Sequence, residues 1–491
     1  MSTNARPTVA VKLSIDKEKQ RVLFAESDKE FVDVIFSFLT LPLGSIVRLL
    51  GKQSGVGCLD EVYKSVESLG TEHFQTEACK TMLLRPLNAA ASHFDRLKVK
   101  LDYTNPRSIY AILLAVYSVQ SPTFFAKLAK ASSISFWNCL RMVVPASTCL
   151  VFSILDKFGL DEKADIKEKI IDLNNKKVSL STARSATNRS LTSNEPLTGM
   201  YFDTLVTPGA VTLDELPKQE SKDAHTFNII KIKFIQTADN STVLYAEVEQ
   251  DFVDLLFGLL SVPLGSIIKA YCHWPPNGCV DNLYQSVDGS ASGCIRDGCK
   301  SLLLSPKLAT FFGCSINALE VKELDPQGPL LLKTCSRCPK LYWGYNRTCT
   351  CSASSNSFYC YEVNPKSTSG AHDTSRAYIK GGTRNFIVTN DLRVLHFSLP
   401  NSLQILRASN IPKEKLGEKE LALDKTQVLK LLRAAIATRE ALSSVLLPEA
   451  PSPPLGSSPV VRVTRQRQRI ISSRSGVGNR GSDGRRTMAH G

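Results

Sequence analysis

The sequence predicts an α+β protein made of two tandem, duplicated domains, each a hairpin-led antiparallel sheet packed with helices, followed by a disordered basic C-terminal tail. Three observations carry this expectation. Residues 22–66 align with residues 243–287 without a gap, at a constant offset of 221. In both copies an alternating, strand-like stretch precedes an apolar stripe of helical period. After Leu447 the chain holds Pro, Ser, Gly and Arg with almost no apolar pattern, too little to bury for a fold.

The expected boundaries follow from the same comparison. Copy one spans 1–205, with a divergent and shortened middle at 104–138. A charged stretch with two prolines, 206–224, is the linker. Copy two spans 225–447 and contains a cysteine-rich insertion at 330–362; the Arg-rich tail is 448–491. A chain of 491 residues is too long for one core and comfortable for two.

In copy one, Val9, Val11, Leu13 and Ile15 alternate with smaller or polar residues, which puts one strand face on a core. The polar turn DKEKQ leads to a second strand, Val22–Glu26. Copy two repeats the hairpin with Ile230, Ile232 and Phe234 on one face and Lys231 and Lys233 on the other. Its turn, near Asp239-Asn240-Ser241, reads about two residues longer. Next, Phe31, Val34, Ile35, Phe38 and Leu39 form a helical stripe. Ser27 and Glu30 have capping-box spacing, a feature copy two lacks. Pro42 and Gly44, repeated as Pro263 and Gly265, end or bend the helix, because proline removes a donor and collides with the preceding turn. A short helical run at Ser45–Leu50 and a third helix at Leu59–Val66 follow. CKTMLLRP (79–86) answers CKSLLLSP (299–306). The segment IYAILLAVYSVQSPTFFAKLAKASSISFW then stands without a counterpart. ILDKFGL (154–160) answers ILRASNI (405–411), and SLTSNEPLT (190–198) answers AIATREALS (435–443). Asp424 and Gln427 cap the last helix, whose stripe is Val428, Leu432, Ala435 and Ile436.

Charge narrows the functional classes. Eight arginines and one acidic residue, Asp483, lie in 451–491, so the tail holds half of the net charge of +14. The body is only mildly basic and does not call for a large nucleic-acid face. The first residues lack a basic start followed by an apolar stretch, so no secretory signal is expected. Nor does any span reach the roughly 18 apolar residues of a bilayer helix. Met142–Leu155, broken by Pro145 and Ser147, reads as a core strand, a turn and a helix start. These features point to a cytoplasmic location, with the nucleus as the alternative, and to cysteines kept as thiols or metal ligands.

One constellation carries chemistry. Cys335 and Cys338 form a CxxC pair; Cys349 and Cys351 form a CxC pair. Two close pairs are the plan of a zinc ribbon, in which four thiolates surround zinc at roughly 2.3 Å. The second pair is one residue short of the usual knuckle, and Cys360 is the alternative fourth ligand. Four protein ligands leave no open position, so such a site is structural. The competing reading is reduced cysteines without metal.

Other signals are weaker. Gly476, Gly478 and Gly481 spell GxGxxG, but without the strand and helix that give the motif its chemistry. The Gly44–Lys52 stretch has the wrong spacing for a phosphate loop. Asp33/Asp254 and Asp60/Asp281 recur, and paired carboxylates can serve acid–base or metal chemistry. The simpler reading places Asp33 in a first helical turn, facing the dipole. Tyr63/Tyr284 and Ser65/Ser286 also recur, the tyrosines as core residues with hydroxyls at the rim. Cys58/Cys279 and Cys79/Cys299 read as small buried residues. No histidine recurs, which disfavours a Ser–His or Cys–His centre shared by both copies.

The hairpin, the FVD[VL][IL]F…[LV]PLGSI helix with its [CG]-[LV]-D-x-[LV]-Y-x-S-V continuation, and the ending VTNDLRV…L…LL-x-A resemble a plant family known as domain of unknown function 674. The resemblance covers most of both copies and breaks down in 104–138 and after 447. It implies tandem copies of one intracellular module and brings no reaction, cofactor or substrate. The expected function is therefore a non-enzymatic interaction module with a structural zinc-ribbon-like loop and a protein partner. The alternatives are nucleic-acid binding through the cysteine loop and the arginine tail, or an enzyme of unknown type.

Overall fold

Alternation near the N-terminus produces the expected hairpin: β1 (Val9–Asp16) pairs antiparallel with β2 (Arg21–Ser27). Val11, Leu13 and Ile15 point into the core, while Lys12 faces outward and bonds Glu168 at 2.6 Å. The computed structural model describes residues 9–91, 134–137, 143–145, 165–173, 195–202, 227–271, 279–289, 298–326, 330–335, 341–343, 355–360, 364–368, 376–382 and 385–448, with a few single positions between them. β3 (Ile134–Trp137), β4 (Val143–Pro145) and β5 (Ile166–Leu173) complete an antiparallel sheet in the order β4-β3-β2-β1-β5.

The second half repeats this sheet. β6 (Ile230–Thr237) and β7 (Val243–Val248) form its hairpin. A separate three-stranded sheet follows, in the order β10-β8-β9, from β8 (Leu330–Cys335), β9 (Leu341–Trp343) and β10 (Ser355–Cys360). Then β11 (Phe386–Thr389), β12 (Val394–His396) and β13 (Leu416–Leu423) complete the order β12-β11-β7-β6-β13.

Equivalent details recur at the expected offset. The register shift between Ser14 and Ile15 in the first hairpin reappears between Ile235 and Gln236 in the second. A bulge fixes local twist and side-chain direction, so its recurrence marks the same strand geometry. Val22 N donates to Thr198 Oγ1 at 3.0 Å; Val243 N donates to Ser443 Oγ at 2.8 Å. The outer face carries the same ion pair twice, Lys12–Glu168 and Lys233–Glu418.

Three sequence expectations need correction. The second hairpin turn is not longer than the first: β1 ends at Asp16 and β6 at Thr237, still 221 apart, and the pairing resumes in step. The segment without a counterpart does have one at its end. Ile134–Trp137 pairs with β2 as Phe386–Thr389 pairs with β7, with Trp137 opposite Phe24 and Thr389 opposite Tyr245. ISFW and FIVT share strand propensity and no identity, so alignment misses them. The first helix starts at Lys29 and its cap is Asp28, whose side chain accepts from Phe31 N at 3.0 Å. Ser27 is still strand, and its hydroxyl bonds Ala10 O.

Helices Lys29–Ser37, Leu43–Leu49, Leu59–Ser68 and Glu77–Leu84 cover the first half. Gln250–Gly258, Leu264–Tyr271, Val280–Asp288 and Cys299–Leu304 answer them in the second. The helix Lys425–Ala437, followed by a short one at Ala441–Leu446, carries the full capping box of Asp424 and Gln427.

The halves meet at the repeated proline turn. Pro42 and Pro263 form an antiparallel bridge, so a residue contacts its own counterpart, as in a two-fold interface. Leu43 N donates to Val262 O at 3.0 Å and Leu264 N to Leu41 O at 2.9 Å. The contact extends sideways: Cys58 N bonds Ala435 O, Gln75 N bonds Tyr378 O, and Val394 N bonds Ser65 Oγ. One continuous buried apolar cluster runs from Val11 to Leu442 through both halves. The proposed linker, 206–224, and the tail from 449 lie outside the described residues. A protease site placed within 206–224 gives a direct check of the seam. After cleavage the two pieces should co-elute and separate only in denaturant. Separation in native buffer would mean that the shared core contributes little.

Candidate functional site

Most of the polar residues that recur between copies bond to main chain. Ser45 Oγ donates to Pro86 O and Ser266 Oγ to Pro306 O, each fixing the chain after the fourth helix of its copy. Tyr63 and Tyr284 donate to Leu84 O and Leu304 O, both at 2.8 Å. These hydroxyls serve helix C-termini, where carbonyls lack intrahelical partners; Tyr63 is buried, not at a rim. Ser65 donates to Glu61 O and Ser286 to Asn282 O. Asp60 does sit in a first helical turn, and it also accepts from Ser54 N at 2.9 Å.

Asp254 has a different role from the one its sequence position implies. It is the fifth residue of Gln250–Gly258 and 1% exposed. One carboxylate oxygen accepts from Tyr378 N at 2.6 Å and Ile379 N at 3.2 Å. The other accepts from Ser315 N at 2.8 Å and Ser315 Oγ at 2.7 Å. The charge thus ties two loops to the helix, in place of an interaction with the dipole. Asp33 occupies the same helical position and is equally buried.

Beside Asp254 lies a residue that sequence reasoning passed over. Lys366 is 1% exposed. Its ammonium donates to Gly313 O and to Arg376 O, the latter at 2.7 Å. It stands 3.4 Å from the centroid of the Tyr378 ring. The Tyr378 hydroxyl donates to Phe312 O at 2.6 Å, and Ser261 Oγ lies 3.2 Å away. Burial lowers the Lys366 pKa to about 8, although the negative charge of Asp254 pulls it back up. No sequence signal marked this lysine, because it sits in a polar stretch that copy one lacks.

The buried thiols are poor nucleophiles. Burial raises Cys58 and Cys314 to about 12 and pushes Cys79 up as well. A thiol held protonated is inert toward metal and electrophile alike. Cys58, Cys79, Cys279 and Cys299 are buried free thiols, as their sequence context suggested. A small apolar cavity of about 20 Å³, between Leu255, Phe312, Cys314 and Leu432, has room for roughly one water.

Of the cysteine cluster, Cys335 ends β8 and Cys360 ends β10; Cys338, Cys349 and Cys351 lie outside the described residues. The strand register separates the two described positions. Cys335 stands opposite Ser355 and Cys360 opposite Leu330, at the two ends of the ladder. Five residue steps along a strand are about 17 Å, whereas ligands of one zinc lie roughly 4 Å apart. No group of three or more potential metal ligands occurs among the described residues. No helix among them is long and apolar enough to cross a membrane.

Comparison with known proteins adds one finding. No curated protein and no solved structure matches the chain. The profile of one family, described as a protein of unknown function (DUF674), matches residues 5–114, 140–327 and 276–476. The chain belongs to that family, DUF674, and carries its pattern across both halves.

Proposed function

We propose that this chain is a non-catalytic intracellular interaction protein, of plant type, that binds a protein partner and holds one structural zinc in its second half. The observation that carries the first part is the use made of the recurring polar residues. Ser45, Ser266, Tyr63, Tyr284, Ser65, Ser286 and Asp254 bond to the fold's own main chain. A reaction common to both copies would need recurring groups directed at a substrate-sized cavity.

The strand topology supports the zinc reading. Cys335, the first residue of the CxxC pair, ends β8. Ser355 stands directly opposite Cys335, and Cys351 precedes Ser355 by only four residues. The ligand set we propose is Cys335, at the end of β8, with Cys338, Cys349 and Cys351. Metal analysis of the purified full chain tests it. About one zinc per chain is expected, lost in Cys335→Ser and in Cys351→Ser but kept in Cys360→Ser. A metal-free wild type would end the proposal. Loss in Cys360→Ser with retention in Cys351→Ser would show that the ligand set is wrong.

A further inference from the structure

We propose that β13 is a docking edge: it extends the second sheet by taking on a strand of a protein partner, one that carries basic residues at alternate positions. This surface rests on the reading of the chain as an interaction protein and gives that reading a site and a partner chemistry. β13 stands at the end of the order β12-β11-β7-β6-β13. Its eight residues pair with β6 from Leu416 opposite Thr237 to Leu423 opposite Ile230, without a register shift. In an antiparallel ladder alternate residues turn N–H and C=O away from the neighbouring strand. Among the described residues β13 makes no main-chain bond beyond β6. The space alongside is open: a Cβ built on Gly417 meets nothing within 4 Å, and Glu418, Lys419 and Glu420 are exposed. A row of unused donors and acceptors of this length is a template for another strand.

Charge selects the strand. Leu421 and Leu423 pack into the main core, so Lys419 shares their inner face; Leu416 packs on the outer apolar cluster, so Glu418 and Glu420 share the outer face. The two carboxylates share one lysine, Lys233, at 3.7 and 2.9 Å. Lys231 and Glu247 lie further in, on β6 and β7, so the rim itself is acidic. This segregation excludes a second copy of the chain. A two-fold that continues the sheet sets outer face beside outer face, so carboxylates would meet carboxylates across the junction, and like charges directly opposite repel. A strand with Arg or Lys at i and i+2 on its outer face meets opposite charge instead. The first sheet ends in the same sense. Glu168 of β5 stands opposite Ser14 and Glu418 opposite Ile235, positions 221 apart, and each carboxylate pairs with the equivalent lysine, Lys12 or Lys233. The acidic rim therefore recurs between the halves, doubled in the second by Glu420.

The probe is an acetylated, amidated nonapeptide with arginine at its even positions and Thr or Val at its odd ones. The net charge of +14 opposes indiscriminate uptake of such a cation. Added to the full chain, the probe should slow hydrogen exchange in 416–423. It should bind about fivefold more weakly to the double variant Glu418→Gln/Glu420→Gln, which changes only exposed side chains. Two N-methylated probes, one methylated on the arginines and one on the odd positions, separate strand pairing from charge attraction. One should lose binding and the other keep it, because only one set of amides faces β13. No protection of 416–423, equal affinity for the double variant, or equal behaviour of the two methylated probes overturns the proposal. A protein partner that binds the wild type and the double variant equally would remove β13 from the interface and leave the chain an interaction protein.

Discussion

Alanine at Gly57 should remove about 3 kcal/mol or more of stability. Gly57 has a φ of +47°, a region that side chains rarely adopt. An added Cβ would also run into Ala435 O and come 2.7 Å from Ile436 C. Those atoms are main chain of the helix Lys425–Ala437, in the other half, and they cannot swing aside. The next residue makes the close approach necessary: Cys58 N donates to Ala435 O at 2.8 Å, and Cys58 Sγ contacts Thr438 O. Gly51 is the control. Its φ is +70°, but nothing lies within 4 Å of a built Cβ. Gly51→Ala should cost only the backbone strain, about 1 kcal/mol. Thermal unfolding of both variants measures the difference, roughly 2–3 °C for one cooperative body of this size. Equal shifts would mean that strain alone sets the loss and that the seam yields.

The repeated glycine of the proline turn obeys the same logic. A Cβ on Gly44 would meet Leu260 O at 3.0 Å and Leu83 O at 3.2 Å; on Gly265 it would meet Leu303 O at 2.8 Å and Leu39 O at 2.9 Å. The four carbonyls are two equivalent pairs. This explains why PLGSI is the best-kept string of the duplication: it is where the two copies touch. Sequence reading found the string and assigned it to helix termination, which is local. A helix end is visible in one segment, whereas a two-fold contact requires knowing where the second copy lies.

The same limit explains what else was legible. Hairpins, helices and the Asp424 cap follow from periodicity and short-range bonding, and they appeared in the sequence. Strand β3 did not, because only β propensity marks it and it shares no identity with its counterpart; β4 falls on the strand expected at the start of Met142–Leu155. Asp254 was visible as a recurring carboxylate, and its partners were not. They lie more than sixty residues downstream, at Ser315, Tyr378 and Ile379. Lys366 was invisible for a related reason. A lysine between polar residues carries no mark of burial until tertiary structure closes over it.

Asp254→Ala should have the second large effect, about 3–5 kcal/mol, because it orphans the buried backbone amides of Tyr378 and Ile379 and removes the acceptor of Ser315 N and Oγ. Asp254→Asn keeps one acceptor oxygen and turns the other into a donor facing donors, so it should lose about 3 kcal/mol. Urea unfolding should show a lower midpoint with an unchanged slope, in a single transition, because the apolar cluster is continuous through both halves. A second effect distinguishes a clamp from mere packing. The Asp254 charge favours the proton on Lys366, against the pull of burial. Without that charge Lys366 should hold its proton less readily still. Asp254→Asn and Lys366→Met should then combine less than additively, since each already relieves part of what the other disturbs. Strict additivity would place the carboxylate and the amine in separate structural roles, with Asp254 ordering the loops and Lys366 only filling space beneath them.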